Sequence, residues 1–302
     1  MFVKYICAQK MRHKLRKISA CLFFFLLFKG KIFSQSDSTE TKFIFLPEHH
    51  QFRSLVANPH EATIGLWKFF TAEQMKVEIG AEQDLFSFQT STSSFNIGIN
   101  FFGYANVTGA SGLHLQIDAL DGFFGGNISL INQSMQYRLR ILHHSAHLVD
   151  GNWWAHSYPR DWTKPGGPVP FTQDFGEFVF AKLFHRPFLH TRIYGGISYA
   201  TFSRPAVLKR FSVLYGFDTH SNTMLENFFQ KETNLFLAYH CSFVGIPKYV
   251  RSDQIKGGIK FGEWERGGIN VYYAFTYGRS FFGEYSLENF KTHGLGFSID
   301  VP

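Results

Sequence analysis

Apolar side chains recur at every second position along much of this chain, in segments of about ten residues, and that period constrains the fold more than any motif. In "THGLGFSIDVP" Leu295, Phe297, Ile299 and Val301 share one face, and Thr292, Gly294, Gly296, Ser298 and Asp300 the other. "GINVYYAFTYG" sets Ile269, Val271, Tyr273, Phe275 and Tyr277 against Asn270, Ala274, Thr276 and Gly278, with Tyr272 crossing over. Leu113, Leu115 and Ile117 oppose His114, Gln116 and Asp118; Ile255, Ile259 and Phe261 oppose Gln254, Lys256 and Lys260. Nowhere does a run approach the roughly 18 to 20 apolar residues of a spanning helix. Yet aromatic residues make up 18% of the 302, led by 37 Phe, so something apolar is faced on a large scale. Strands with one apolar and one polar face, closed into a cylinder, satisfy both facts: the fold class expected is all-β, an antiparallel transmembrane β-barrel of about twelve strands, with ten to fourteen allowed.

The first 34 residues read differently. Lys10, Arg12, Lys14, Arg16 and Lys17 precede the apolar Ala20–Phe28 and a polar "SQSDSTET", the order of a secretory signal peptide, so the mature chain is expected to begin near Gln35. The leader holds eight Lys or Arg and no acid, so of the formal charge of +7 nothing remains: 22 basic residues face 23 acidic ones beyond it. Nucleic acid is thereby dropped as a partner. Cys7 and Cys21 leave with the leader, and Cys241 alone can form no internal disulfide.

Residues 35–60, with Pro47 and Pro59, read as a periplasmic lead-in or short plug, and 61–302 as the barrel. Candidate strands include 84–92, 95–105, 112–120, 123–131 and 134–149. Periplasmic turns are short and external loops long, which makes 264–268 and 185–189 periplasmic and 279–289 and 151–170 external; 219–231 is long on the wrong side. Trp153, Trp154 and Trp162 suit interfacial anchors, and Tyr104, Tyr194, Tyr199, Tyr239 and Tyr277 an aromatic girdle.

"YRLRILHHSAHLVDG" (137–151) resembles a metal-binding helix, but Arg138 and Arg140 alternate with Tyr137, Leu139 and Ile141 as on a strand. His143 and His147 then stand about 13 Å apart, too far to share an ion. Arginine facing lipid near the midplane costs about 2–4 kcal/mol, so the even positions face the lumen. If the alternation runs on, His143, Ser145 and His147 point outward. The polarity pattern inverts past Ile141, however, and one bulge near Leu142 would turn them inward. That second geometry is the one expected, giving a lumen cluster of Arg138, Arg140, His144, His147 and Asp150. No phosphate loop or cysteine metal site occurs, and no metal or cofactor is expected.

The His-x-Ser pair resembles that of the outer-membrane phospholipase A and lipid A deacylase families, which implies Ser145 as nucleophile and His143 as general base, acting from the lipid-facing side. Those families follow the serine with Asn and a small residue, where this chain has Ala146 and His147, and no third member to orient the histidine is assigned. Over nearly the whole mature chain, "FLP" (45–47), "LVANPHE" (55–61), "YRLR" (137–140) and "HHSAHLVD" (143–150) resemble a bacterial outer-membrane family of unknown function whose pattern is His-x-Ser-x-His-Leu-Gly-Asp-Glu; Val149 and Gly151 replace its Gly and Glu. The expectation is an outer-membrane barrel with a polar lumen, serving envelope structure or solute passage, with membrane lipids and small solutes as partners. The alternatives are a lipid hydrolase using Ser145 and His143, and a soluble secreted all-β binding module.

Overall fold

The computed structural model describes residues 41–300 except 49, 110–114, 149–169, 223, 229 and 246–247. The predicted anchors Trp153, Trp154 and Trp162, the leader and Asp150 lie outside the described residues. Thirteen strands follow in order: β1 Lys42–Phe45, β2 Ile64–Phe69, β3 Gln74–Gln89, β4 Ser93–Gly109, β5 Leu115–Asn132, β6 Met135–Leu148, β7 Phe171–Arg186, β8 Leu189–Arg204, β9 Phe211–Ser221, β10 Thr233–Gly245, β11 Tyr249–Phe261, β12 Gly268–Arg279 and β13 Asn289–Asp300. Among the described residues the sole helical element is a 3-10 turn at Gly283–Tyr285.

From β2 to β13 each strand pairs antiparallel with its successor, and β13 returns to β2, so twelve strands close into a barrel. The short β2 covers only the first part of β3, with Gly65–Lys68 opposite Glu78–Met75. β1 takes up the far part of the same edge, Lys42–Phe45 opposite Gln89–Phe86. Between β1 and β2 the chain leaves the wall and enters the interior, where Phe52 and Leu55 pack against Val179, Ala181, Tyr194 and Leu214. At the other end of the barrel the β12–β13 connection also turns inward. Its Phe281 and Phe282 join a core with Trp67, Phe69, Tyr104 and Phe123, and Gly283 N donates to Asp121 Oδ1 at 2.8 Å.

The two faces follow the period of two. Leu295, Phe297 and Ile299 are 52%, 45% and 43% exposed, while their neighbours Gly294, Gly296 and Ser298 are buried. Large exposed apolar side chains occur on every strand from β3 to β13, a surface far larger than water-soluble proteins carry. The lumen is lined by buried Lys76, Glu78, Asn96, Arg138, Arg140, Arg192, Asp218 and Lys260.

The sequence reading differs from the structure in three instructive places. From Leu115 on, the segments 112–120 and 123–131 are one strand: the apparent turn at Asp121–Gly122 is a continuous ladder, and the phase change beside it is a bulge at Asp118, where Val107 and Asn106 oppose Ile117 and Ala119. β3 begins ten residues earlier than 84, because its inward Lys76 and Glu78 look like loop residues until they are seen paired at 2.6 Å inside the barrel. Tyr104 and Tyr194 are buried lumen residues and do not belong to a girdle, whereas Tyr199 and Tyr277 face outward. The β9–β10 connection remains long at the end where the other connections, such as that between Asn132 and Met135, are tight.

Gly80 tests the wall's closeness at the β3–β4 contact. Its φ is +146°, and a Cβ there would stand 2.2 Å from Phe102 Cα. Gly80→Val is expected to cost at least about 1–3 kcal/mol in backbone strain, seen as a lower denaturation midpoint with an unchanged slope.

Candidate functional site

β6 carries the candidate residues, and its neighbours fix their direction. Pairing with β5 runs without a break from Asn132↔Met135 to Ala119↔Leu148, and with β7 from Met135↔Lys182 to Ala146↔Phe171. The bulge expected near Leu142 is absent, and the alternation runs on through β6. Leu142, His144 and Ala146 are therefore buried in the interior with Arg138 and Arg140, while His143, Ser145 and His147 lie on the outer face. This corrects the expected lumen cluster: His147 is exposed on the outside and does not join the arginines.

On the outer face His143 sits directly across from Asp174 of β7. Its Nδ1 donates to Asp174 Oδ1 at 2.6 Å, and the Phe124 ring leans on the imidazole with centroids 4.7 Å apart. Both side chains are partly exposed, 33% for His143 and 49% for Asp174. With Nδ1 bound to the acid, Nε2 is left as the free basic nitrogen. Ser145 is the next outward residue on the strand, about 7 Å along, flanked by Gly122 on β5 and Thr172 on β7. Its Oγ bonds to none of the described residues. Asp174 is the member that the sequence did not yield, because it is adjacent to His143 only through strand register. The signal available was a carboxylate at the same parity as Phe178 and Phe180, out of place on an apolar face.

Inside, Arg138 and Arg140 are fully buried among three carboxylates. Arg138 grips Glu61 with both Nη atoms, at 2.8 and 2.6 Å; Arg140 Nε donates to Glu177 at 2.8 Å and its Nη2 stands 3.3 Å from Glu61. Glu82 lies 3.9 Å from Arg138. Glu61 belongs to the segment inside the barrel, so this cluster is a latch between that plug and the wall. Further ties are Lys76 Nζ to Pro59 O at 3.0 Å and Arg192 to the carbonyls of Arg53 and Ser54 at 2.6 and 2.8 Å. Within the plug Asn58 Nδ2 donates to Glu61 Oε1 at 2.8 Å and its Oδ1 accepts from His60 N at 3.1 Å, a turn made by its own side chain. Two pockets of about 130 and 140 Å³ are both lined by plug residues. His144 does not touch the arginines; it stacks on Phe123 at 3.9 Å and its Nε2 bonds Asp121, which in turn holds the inward loop at Gly283.

Burial would push the Glu61 carboxyl up, but the two guanidinium groups outweigh it and hold it down at about 2. Burial, with His144 and Lys76 nearby, lowers the His60 imidazole to about 3, so it is neutral in the docked plug.

No protein-family model matches the chain, and no curated protein matches it at a significant level.

Both plug groups set the same sign of pH dependence. A carboxyl depressed by docking stabilises above the usual carboxylate range and loses that stabilisation as pH falls through it toward 2; an imidazole depressed by docking likewise weakens docking as pH falls below its usual range toward 3. Labelling of Ala57→Cys, buried in the plug and made in a Cys241→Ala background, is therefore expected to be slow at pH 7 and to accelerate steadily below about pH 6. Glu61→Gln, which strips a carboxylate from buried arginines at a cost of about 3–5 kcal/mol, is expected to make labelling fast at pH 7 as well.

Proposed function

We propose that this chain is an outer-membrane β-barrel that hydrolyses acyl esters at its lipid-facing wall. The carrying observation is the 2.6 Å contact of His143 Nδ1 with Asp174 beside the outward Ser145. An acid on the far nitrogen fixes the ring and its tautomer and stabilises the imidazolium, which is the missing third member of a serine–histidine pair. Ser145 Oγ attacks the ester carbonyl carbon while His143 Nε2 takes the hydroxyl proton; the C–O bond to the leaving alcohol then breaks, and the alcohol departs with that proton. Water, activated by the same imidazole, releases the acid and restores the serine.

Membrane residence is supported by the continuous apolar exterior of a closed barrel, and export by the leader. Position supports the chemistry too. From the tight turn at the foot of β6, Ser145 stands about 25 Å up at usual rise and tilt, near the top of an apolar band about 25 Å tall. A charged histidine–aspartate pair is tolerable at that wet boundary and expensive below it. On this reading the tight turns are periplasmic and the chain joins the outer-membrane family whose His-x-Ser-x-His-Leu pattern it resembles. The second reading, a barrel with a purely structural role, draws on the Glu61–Arg138 latch. That latch argues against solute passage, because it ties the plug to the wall inside the lumen.

In detergent micelles containing phospholipid, wild-type protein is expected to release fatty acid. Ser145→Ala and His143→Ala should abolish release, and Asp174→Asn should lower it by about 10²–10⁴-fold with folding intact; full activity in Ser145→Ala would end the hydrolase reading. For the membrane, Ile197, exposed near the middle of β8, gives the measurement: Ile197→Arg is expected to lower stability in lipid bilayers by about 2–4 kcal/mol. An unchanged value would mean that the outer face does not meet lipid.

A further inference from the structure

Strand register sorts the outer face around Ser145 into rows. The row of the serine runs Gly122, Ser145, Thr172, Arg204 across β5 to β8. The next row down runs Phe124, His143, Asp174, Phe202, and the one below it Gly126, Ile141, Gly176, Tyr199. The bulge that interrupts β7–β8 pairing between Asp174 and Phe175 puts Arg204 outward; without it, Arg204 would point into the lumen with Ala200.

Arg204 is exposed, and no carboxylate among the described residues pairs with it. Asp174, the acid closest in register, already accepts from His143. The Arg204 guanidinium lies 6.0 Å from the centre of the exposed Phe202 ring. Its Cα is two strand spacings from that of Ser145, about 10 Å, a gap that its long side chain can largely span. A free guanidinium at the upper edge of an apolar wall suits an anion attached to an apolar body. Phosphate matches its planar fork with two parallel N–H···O bonds, which a neutral headgroup cannot offer.

Ester lipids divide on this feature. In a phosphoglyceride or a phosphorylated saccharolipid a few bonds separate the phosphate from an ester carbonyl, comparable to the space between Arg204 and Ser145; a neutral glyceride has nothing for the arginine to hold. Below the serine, Gly126 and Gly176 leave the wall open on both sides of Ile141, so acyl chains can lie along the barrel toward the bilayer interior. We propose that Arg204 binds the phosphate of the lipid whose ester faces Ser145. The assignment rests on the hydrolase reading, but its binding half can be measured without turnover.

Ser145→Ala protein in detergent micelles is titrated with a short-chain phosphatidylglycerol and with the diacylglycerol of the same chains. Binding of the phospholipid is expected to be at least about tenfold tighter, with the difference abolished by adding Arg204→Gln and partly kept by Arg204→Lys. Equal binding of the two lipids, or a preference that survives Arg204→Gln, overturns the assignment. Inorganic phosphate that binds as tightly as the phospholipid also overturns it, leaving a site for the free anion. In protein with Ser145 intact, Arg204→Gln should raise KM for the phospholipid about tenfold with kcat little changed and leave the glyceride unaffected. An equal loss of kcat on both lipids would mean that Arg204 acts on the reacting oxygen, against the headgroup role. Phospholipid preference without any hydrolysis would refute the esterase and retain the binding site.

Discussion

Everything in this structure depends on the closing of one hydrogen-bonded ladder. A sheet edge exposes a row of unpaired N–H and C=O groups, and no apolar surroundings can satisfy them. β13 meets β2 and β2 meets β3, which removes the edge along that seam. β2 is too short to cover β3 alone, and β1 lies on the remainder. The chain between them is obliged to go somewhere, and it goes inside. The plug is thus a consequence of how the seam is closed as much as a separate element. Because it enters between two parts of the wall, its Glu61 arrives beside Arg138 and Arg140.

The latch solves a problem that the wall sets. Two fully buried guanidinium groups a residue apart on one strand repel each other and have lost their water; each needs anions at close range. Glu177 from β7 serves Arg140, and Glu61 reaches both. Removing the plug would take from Arg138 the carboxylate that binds both of its Nη atoms. The inward loop is held on the same logic, with the Gly283 amide and His144 converging on Asp121.

Much of the fold was legible because the barrel writes itself in the sequence residue by residue: apolar out, polar in, about twelve times. β13, β12 and β11 were read with their faces correct. What escaped were the places where one residue breaks the count. Asp118 shifts the phase of β5, and from sequence alone the result looks like a turn between two strands. Past Ile141 the residues of β6 look as if they shift phase and do not, since small and polar residues, Ser145 and His147 among them, sit on the outer face near the end of the strand. The candidate site was half legible for a related reason. Ser145 and His143 are neighbours along one strand, and a local motif shows them; Asp174 lies 31 positions away and is brought alongside only by the pairing of β6 with β7.

The two faces of β6 also explain why the serine faces outward at all. A slip of one residue would exchange the sets, carrying Leu142, His144 and Ala146 outward and His143 and Ser145 into the lumen. Near Ser145 that exchange is nearly neutral, because both sets mix polar with small or apolar groups. Lower on the strand it is not. Arg138 and Arg140 would be turned toward the apolar exterior, at about 2–4 kcal/mol each if they met lipid at mid-depth, and Glu61 would lose its partners. The penalty for the wrong phase is therefore concentrated in the arginines, and the unbroken ladder from Met135 to Leu148 transmits their choice to the rim. The direction of Ser145 is set by the charges on the opposite face of its own strand, so the interior latch and the outer histidine–aspartate pair are two consequences of one register.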